Sequence, residues 1–329
     1  MRSSLSVIGF DQQHELIKSM IDNVERVIRG KRETIRTAMI GLLAGGHLLL
    51  EDVPGVGKTM LARALAQTVS CTLKRIQFTP DLLPSDIMGV SIYNQKLQDF
   101  QFRPGPIMAN FVLADEINRT SPKTQAALLE AMEEEHVTVD GVTYDLPKPF
   151  ILMATQNPIE HEGTFMLPEA QLDRFMLKLS LGYPDADAEM DMLELTARRH
   201  PIETLRPIIS KEELIELQKR VREIHVDRSL REYIIRLAQL SREHPAVWLG
   251  ASPRAAAALM RAAQARAMMA DRAYVIPDDV KAMVKPVWGH RLIVKAEARA
   301  RGKDSSAFLD ELLHRVPVPN FRQAAGEGR

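Results

Sequence analysis

The segment Leu48-Leu49-Leu50-Glu51-Asp52-Val53-Pro54-Gly55-Val56-Gly57-Lys58-Thr59 constrains this chain more than any other. An apolar run of strand character enters a Pro/Gly loop, passes through Gly-Lys-Thr, and continues as a helix with Leu61, Ala62, Leu65 and Ala66 on one face. Glycine lets backbone N–H groups approach an anion with no Cβ in the way, and the helix N-terminus adds partial positive charge. The spacing predicts a phosphate loop. Pro54, Gly55, Val56, Gly57, Lys58, Thr59 and Met60 would line it, Lys58 beside the β- and γ-phosphates and the Thr59 hydroxyl on Mg²⁺. Asp52 stands where the usual spacing has its first Gly, so the pattern is met only from Gly57 onward.

A strand feeding such a loop needs a sheet around it. Further short apolar runs at Leu73–Phe78, Phe111–Ala114, Phe150–Thr155 and Met176–Leu181 alternate with helical stretches. Nearly continuous apolar runs of this length predict strands buried on both faces of a parallel sheet with crossover helices. The run at Phe111 ends in Asp115-Glu116. Successive strand residues point to opposite faces, so the pair is expected to divide two tasks. Asp115 would hold the Mg²⁺ shell, and Glu116 would orient or deprotonate an attacking water.

Beyond Gly182-Tyr183-Pro184 the strand signals fade. Helix starts are predicted at Pro184-Asp185, at a Ser210/Glu213 capping box, at Asp227, at Ser252-Pro253 and at Pro277. The expected organisation is a nucleotide-binding core over 1–182, a linker helix over 183–200, a helical domain over 201–322 and a frayed tail over 323–329. The 329 residues are enough for about two domains. Formal charge is zero, but it is unevenly spread. Residues 1–200 carry 20 Lys/Arg against 27 Asp/Glu, and residues 201–329 carry 23 against 16. Two readings stay open: oppositely charged domains that attract each other or their neighbours, or a basic domain that touches nucleic acid or an acidic partner. One cysteine excludes an internal disulfide. The longest apolar-rich run, Thr37–Leu50, is too short and polar to span a bilayer, and the N-terminus lacks a secretory core, so a cytoplasmic protein is expected.

Taken together, these residues resemble an AAA+ ATPase, and more closely the MoxR family, over roughly residues 10–320. Val27-Ile28-Arg29-Gly30-Lys31 is similar to the family's adenine-holding loop, through Ile28 and Gly30. Asp115-Glu116-Ile117-Asn118-Arg119, followed by Gln125 to Met132, is close to a MoxR signature. Ala154-Thr155-Gln156-Asn157-Pro158 resembles the sensor-1 strand, which implies that Asn157 feels the γ-phosphate or the attacking water; a helix-capping Asn is the other reading. Leu167 to Phe175 resembles the arginine-finger segment, with Arg174 serving a neighbour's ATP; a salt bridge to Asp173 or Glu169 is the alternative, and Arg119 is the competing trans-acting arginine. Gly250 to Arg254 resembles sensor 2, with Arg254 reaching the γ-phosphate unless it is simply a surface arginine. Ser85–Phe102 resembles the helix-2 insert hairpin, and His136–Tyr144, with its Asp140-Gly141 turn, the pre-sensor-1 hairpin.

The resemblance implies an α/β P-loop fold: a five-stranded parallel αβα core with both hairpins and an all-α lid. It implies an ATP- and Mg²⁺-dependent motor in a homo-oligomeric ring, a hexamer, that remodels proteins with a von Willebrand factor A domain partner. A chelatase-type motor subunit shares the site chemistry. A nucleic-acid helicase or transcription-coupled motor is disfavoured, because the hairpin tips offer only Lys96, with Asp99 close by.

Overall fold

The computed structural model describes residues 10–158, 163–190 and 201–319. They form two compact units: one runs to Glu223 and includes Met269–Asp271, and the other holds the remainder. The expected boundary near residue 201 therefore moves to 223/224. Pro201–Glu203 and the helix Lys211–Glu223 pack within the first unit, where Ile208 N–H donates to the Thr68 carbonyl and Gln218 Nε2 to the Leu42 carbonyl. Of the expected linker helix, 186–190 is helical, with Asp185 accepting the Ala188 N–H at its start; 191–200 and the tail at 323–329 lie outside the described residues.

In the first unit, helices α1 (Phe10–Glu25) and α2 (Arg32–Leu43) precede strand β1 (Leu48–Glu51) and helix α3 (Lys58–Thr68). Strand β2 (Leu73–Gln77) follows, then the short helix α4 (Pro84–Met88) and the hairpin β3 (Gly89–Asn94) and β4 (Asp99–Pro104). Strand β5 (Phe111–Asp115) leads to α5 (Pro122–Glu134), the hairpin β6 (His136–Val139) and β7 (Val142–Asp145), and β8 (Ile151–Gln156). Helix α6 (Glu169–Leu172) and β9 (Leu177–Leu179) complete the sheet. Its order is β2-β5-β8-β1-β9, all neighbours parallel.

The five expected strands are the five observed, within two residues at each end. The inner strands β5 and β8 are buried along their whole length, as continuous apolar runs require. Burying each such Leu, Val or Phe contributes about 1.5–3 kcal/mol. Strand β2 departs from the expectation of two buried faces. It is a sheet edge, and Leu73, Lys74, Arg75 and Gln77 are half-buried or exposed while Ile76 alone is buried. An edge strand needs only one apolar face, which frees its polar side chains for other work.

Both hairpins form where predicted. Asp140 and Gly141 take φ values of 50° and 81°, as a tight turn demands. Phe102 of the first hairpin stacks on Tyr144 of the second at 3.9 Å between ring centres. The second unit is helical, with Arg228–Glu243, Pro253–Met269 except its last residue, Pro277–Trp288, Ala296–Ala300 and Ser305–Arg315, but it is not all-α. Val247–Leu249 pairs antiparallel with Ile293–Val294. A pair this short has no periodicity to read in sequence.

Candidate functional site

The parallel sheet brings three strand ends to one level. Glu51 of β1 sits beside Gln156 of β8, and β5 runs beside β8 with Ala114 opposite Ala154. The loop after β1 and the acids after β5 therefore flank the end of β8, the kind of crevice where open α/β sheets bind ligands.

The loop after β1 turns through Gly55 and Gly57, at φ 85° and 97°, and α3 starts at Lys58. Those left-handed values cost a side-chain-bearing residue strain that glycine avoids. Lys58 Nζ folds back onto the Asp52 carbonyl at 2.6 Å and the Val53 carbonyl at 3.3 Å. Thr59 is half-buried in the first turn of α3. Next to the loop lies a cavity of about 310 Å³, lined by Val27, Ile28, Arg29, Lys31, Pro54, Gly55, Val56, Gly57, Met60, Gly182, Tyr183, Pro184 and Glu189. Its volume is at the low end of the roughly 300–1,000 Å³ of small-molecule sites. Ile28 is thus brought to the phosphate loop, whereas Gly30 is not part of the lining, and a Cβ added there would come within 3.1 Å of the Ala188 Cβ.

The acid pair differs from the alternating strand pair expected. The strand ends at Asp115, and Glu116 adopts a left-handed conformation, φ 59° and ψ 49°, at the start of a tight turn over Ile117–Arg119. What separates the two carboxylates is this backbone reversal, not the pleat. Asp115 Oδ1 accepts from the Thr155 hydroxyl at 2.6 Å, and the same hydroxyl oxygen accepts the Glu116 N–H at 2.8 Å. Asp115 Oδ2 is held by Arg75, 2.8 Å from Nε and 2.6 Å from NH2. Arg75 also donates to Gln77, whose Nε2 donates to Glu116 Oε2 at 2.8 Å, and Arg119 approaches that oxygen at 3.2 Å. Arg75, Asp115, Thr155, Glu116 and Gln77 close a ring of hydrogen bonds over the ends of β2, β5 and β8.

Arg75, Gln77 and the Thr155 hydroxyl belong to the site although no motif assigns them a role. One signal was available: Arg75 and Gln77 are spaced two apart, hence on one face of β2, and the register pairs Gln77 with Asp115. Oxygen donors of this kind suit a hard cation such as Mg²⁺. Among the described residues no group of three or more His, Cys, Asp or Glu side chains is placed to hold a metal. A divalent ion at Thr59 and Asp115 would therefore draw its remaining oxygens from nucleotide and water.

The remaining sequence-derived candidates fall in different settings. Asn157 is buried one residue beyond β8. Arg174 pairs with neither Asp173 nor Glu169. Its NH1 donates to the Leu129 carbonyl and pairs with Glu133, both at 2.7 Å, on the last turns of α5. Arg254 lies in the second unit, exposed in the first turn of Pro253–Met269, next to Ser252, whose hydroxyl accepts the Ala255 N–H. Burial pushes the Cys71 thiol up to about 11, which disfavours its thiolate.

The sheet order, glycine loop and strand-end acids define a P-loop nucleotide-binding core. Residues 47–177 match the model of the ATPase family associated with various cellular activities, and residues 239–312 match the AAA lid domain. Chaperone MoxR1 of Mycobacterium tuberculosis is 39% identical, covering 97% of this chain and 87% of its own. Protein YeaC of Bacillus subtilis is 55% identical over 94% of this chain and 97% of its own. The crystal structure of a candidate ATPase from Cytophaga hutchinsonii superposes with a TM-score of 0.88 at 40% identity, over 94% of this chain and 97% of that one. The chain belongs to the MoxR family of AAA+ ATPases.

Proposed function

We propose that this protein hydrolyses ATP to ADP and phosphate with Mg²⁺ and uses the energy to remodel protein partners. The observation that supports it most is the ring of hydrogen bonds that holds Asp115 and Glu116 at the strand ends, across β8 from the phosphate loop. In this reading Ile28 and Gly30 bound the base cavity, and the residues from Pro54 to Met60 cradle the phosphates. Lys58 leaves its loop carbonyls for the β- and γ-phosphates. Thr59 and Asp115 would hold Mg²⁺, which would supply charge neutralisation at the phosphates. Glu116 takes a proton from, or orients, the attacking water, and Asn157 holds that water or the γ-phosphate.

Arg174 completes the site of a neighbouring subunit in a ring, a hexamer, once it exchanges Glu133 for the phosphate; Arg119 remains the competitor. Arg254 senses the γ-phosphate from the lid. Partner choice follows from the hairpins. They expose Val90, Ile92, Tyr93, Leu97, Phe100 and Val142, while their turns carry a single cation, Lys96. Apolar, cation-poor tips suit protein better than a phosphate backbone. The name of the mycobacterial relative, a chaperone, is consistent with that. A von Willebrand factor A domain protein serves as adaptor, and the protein works in the cytoplasm. No helix among the described residues is long and apolar enough to cross a membrane.

The test is Mg²⁺-dependent phosphate release. The parent turns over, and Glu116→Gln, which keeps shape and loses the base, slows by about 10²–10⁴-fold. Turnover of that variant within about threefold of the parent contradicts the assignment.

A further inference from the structure

Asp52 occupies a position that phosphate loops of the usual spacing give to glycine. A carboxylate at the mouth of an anion site repels its ligand, so charge alone argues against this residue. Backbone geometry does not ask for glycine either, because Asp52 is absent from the residues with positive φ. The side chain is buried, and its contacts show what it does instead. Strand β9 pairs with β1 up to Leu50 and Leu179. Two residues farther on, the Leu181 and Gly182 N–H groups donate to Asp52 Oδ2, at 2.6 and 2.7 Å, and the Ser180 hydroxyl donates to it at 2.9 Å. The Val53 N–H donates to Oδ1 at 2.9 Å, and the Asp52 carbonyl accepts Lys58 Nζ. One strand residue earlier, Lys178 pairs with Glu51 at 3.1 Å.

One residue thus grips two walls. Its backbone begins the phosphate loop, and its carboxylate holds the segment 180–182, which continues into the Gly182-Tyr183-Pro184 wall of the cavity. Burial works against its charge, but the hydrogen bonds from Gly182, Ser180, Leu181 and Val53 outweigh it and keep the carboxyl below the ordinary carboxylate range. The clamp is therefore charged at neutral pH.

We propose that Asp52 is a positioning residue that fixes the base cavity to the phosphate loop, so that base and phosphates are recognised by one preorganised site. The inference rests on the reading above, that the cavity takes the base and the loop the phosphates. It has a consequence that general destabilisation does not share. Removing Asp52 detaches the base wall yet relieves repulsion at the loop, so ligands with and without a base should respond in opposite senses.

The test is calorimetric titration of parent, Asp52→Gly, Asp52→Asn and Ser180→Ala with two probes, ATP and inorganic tripolyphosphate. Asp52→Gly restores the usual loop glycine. It should weaken ATP at least about tenfold, or 1.4 kcal/mol, while tripolyphosphate binds as in the parent or more tightly. Asp52→Asn keeps the shape and should show the same inversion more weakly. Ser180→Ala, which leaves the loop untouched, should weaken ATP a few-fold with tripolyphosphate unchanged, and its effect should vanish in combination with Asp52→Gly because the two act through one contact. Equal weakening of both probes, unchanged ATP affinity in Asp52→Gly, or additive effects in the double variant would each overturn the proposal. Should Asp52→Gly not fold, Ser180→Ala and Asp52→Asn decide it alone. A parent that binds ATP no better than tripolyphosphate contradicts the base-cavity reading itself, which separates the two failures.

Discussion

The two ends of the site are built in different ways. At the loop end, the backbone does most of the work: Gly55 and Gly57 turn left-handed, α3 presents its N-terminus, and one local carboxylate, Asp52, fastens the loop to the neighbouring strand. At the acid end, side chains from three strands hold each other, and β2 contributes Arg75 and Gln77 although it lies about 40 residues from the acids it binds. Backbone-built sites leave a contiguous signature in sequence. Side-chain networks between strands do not, because their members meet only through the register of the sheet.

Breaking either end should therefore look different. The largest effect is expected where a second subunit is needed. Arg174→Ala should bind ATP like the parent and lose turnover by about 10³–10⁵-fold, the range for arginine fingers. Mixing it with Lys58→Ala should restore activity in a concentration-dependent way, since a mixed ring pairs an intact loop from one variant with an intact Arg174 from the other. If mixing rescues Arg119→Ala and never Arg174→Ala, with both assembled by light scattering, the finger is Arg119.

A smaller effect probes the strand that feeds the loop. His47, at the foot of β1, accepts the Leu152 N–H at 3.0 Å and stacks edge-on against Phe150. Burial lowers its pKa from 6.5 to about 4, against a hydrogen bond to the Met132 backbone that raises it. The folded state thus disfavours the proton. Stability is intact above the unfolded value of 6.5 and falls as the pH drops from there towards 4, by about 3 kcal/mol over the window. His47→Asn, which keeps an acceptor and does not titrate, should flatten that loss in urea unfolding measured between these pH values. An equally steep loss in the variant assigns the acid sensitivity to other groups.

The smallest effect sharpens the acid end. Arg75 neutralises the carboxylate proposed to hold Mg²⁺, and about half of its side chain is exposed. Solvent therefore screens much of that charge. Arg75→Gln should lower the Mg²⁺ concentration for half-maximal ATP binding by about threefold. A higher Mg²⁺ requirement would mean that Arg75 orders Asp115 for the cation rather than competing with it.

The same contrast explains what was legible beforehand. The five strands, both hairpins and the Ser210/Glu213 capping box, closed at 2.8 and 3.2 Å, are written in local periodicity and cap residues. The glycine loop and the Asp115-Glu116 end could be read for the same reason. Strand β2 reads in sequence as buried on both faces, and its single buried face follows from an edge position that depends on sheet order. Arg174's attachment to Glu133 leaves no local signal because the partner lies 41 residues upstream on α5. The left-handed turn at Glu116 was hidden too, since glutamate carries no conformational signature of the kind glycine does.

In the proposed function, the loop after β1 and the acids after β5 are two ends of one ATP site, one for binding and one for chemistry. Calorimetry with Mg²⁺-ATP on the parent, Lys58→Ala and Glu116→Gln tests it most directly. Glu116→Gln should bind with parent-like affinity and Lys58→Ala should show no measurable binding, because its lost ammonium leaves the β- and γ-phosphates without their main side-chain cation. Near-parent affinity in Lys58→Ala would contradict it.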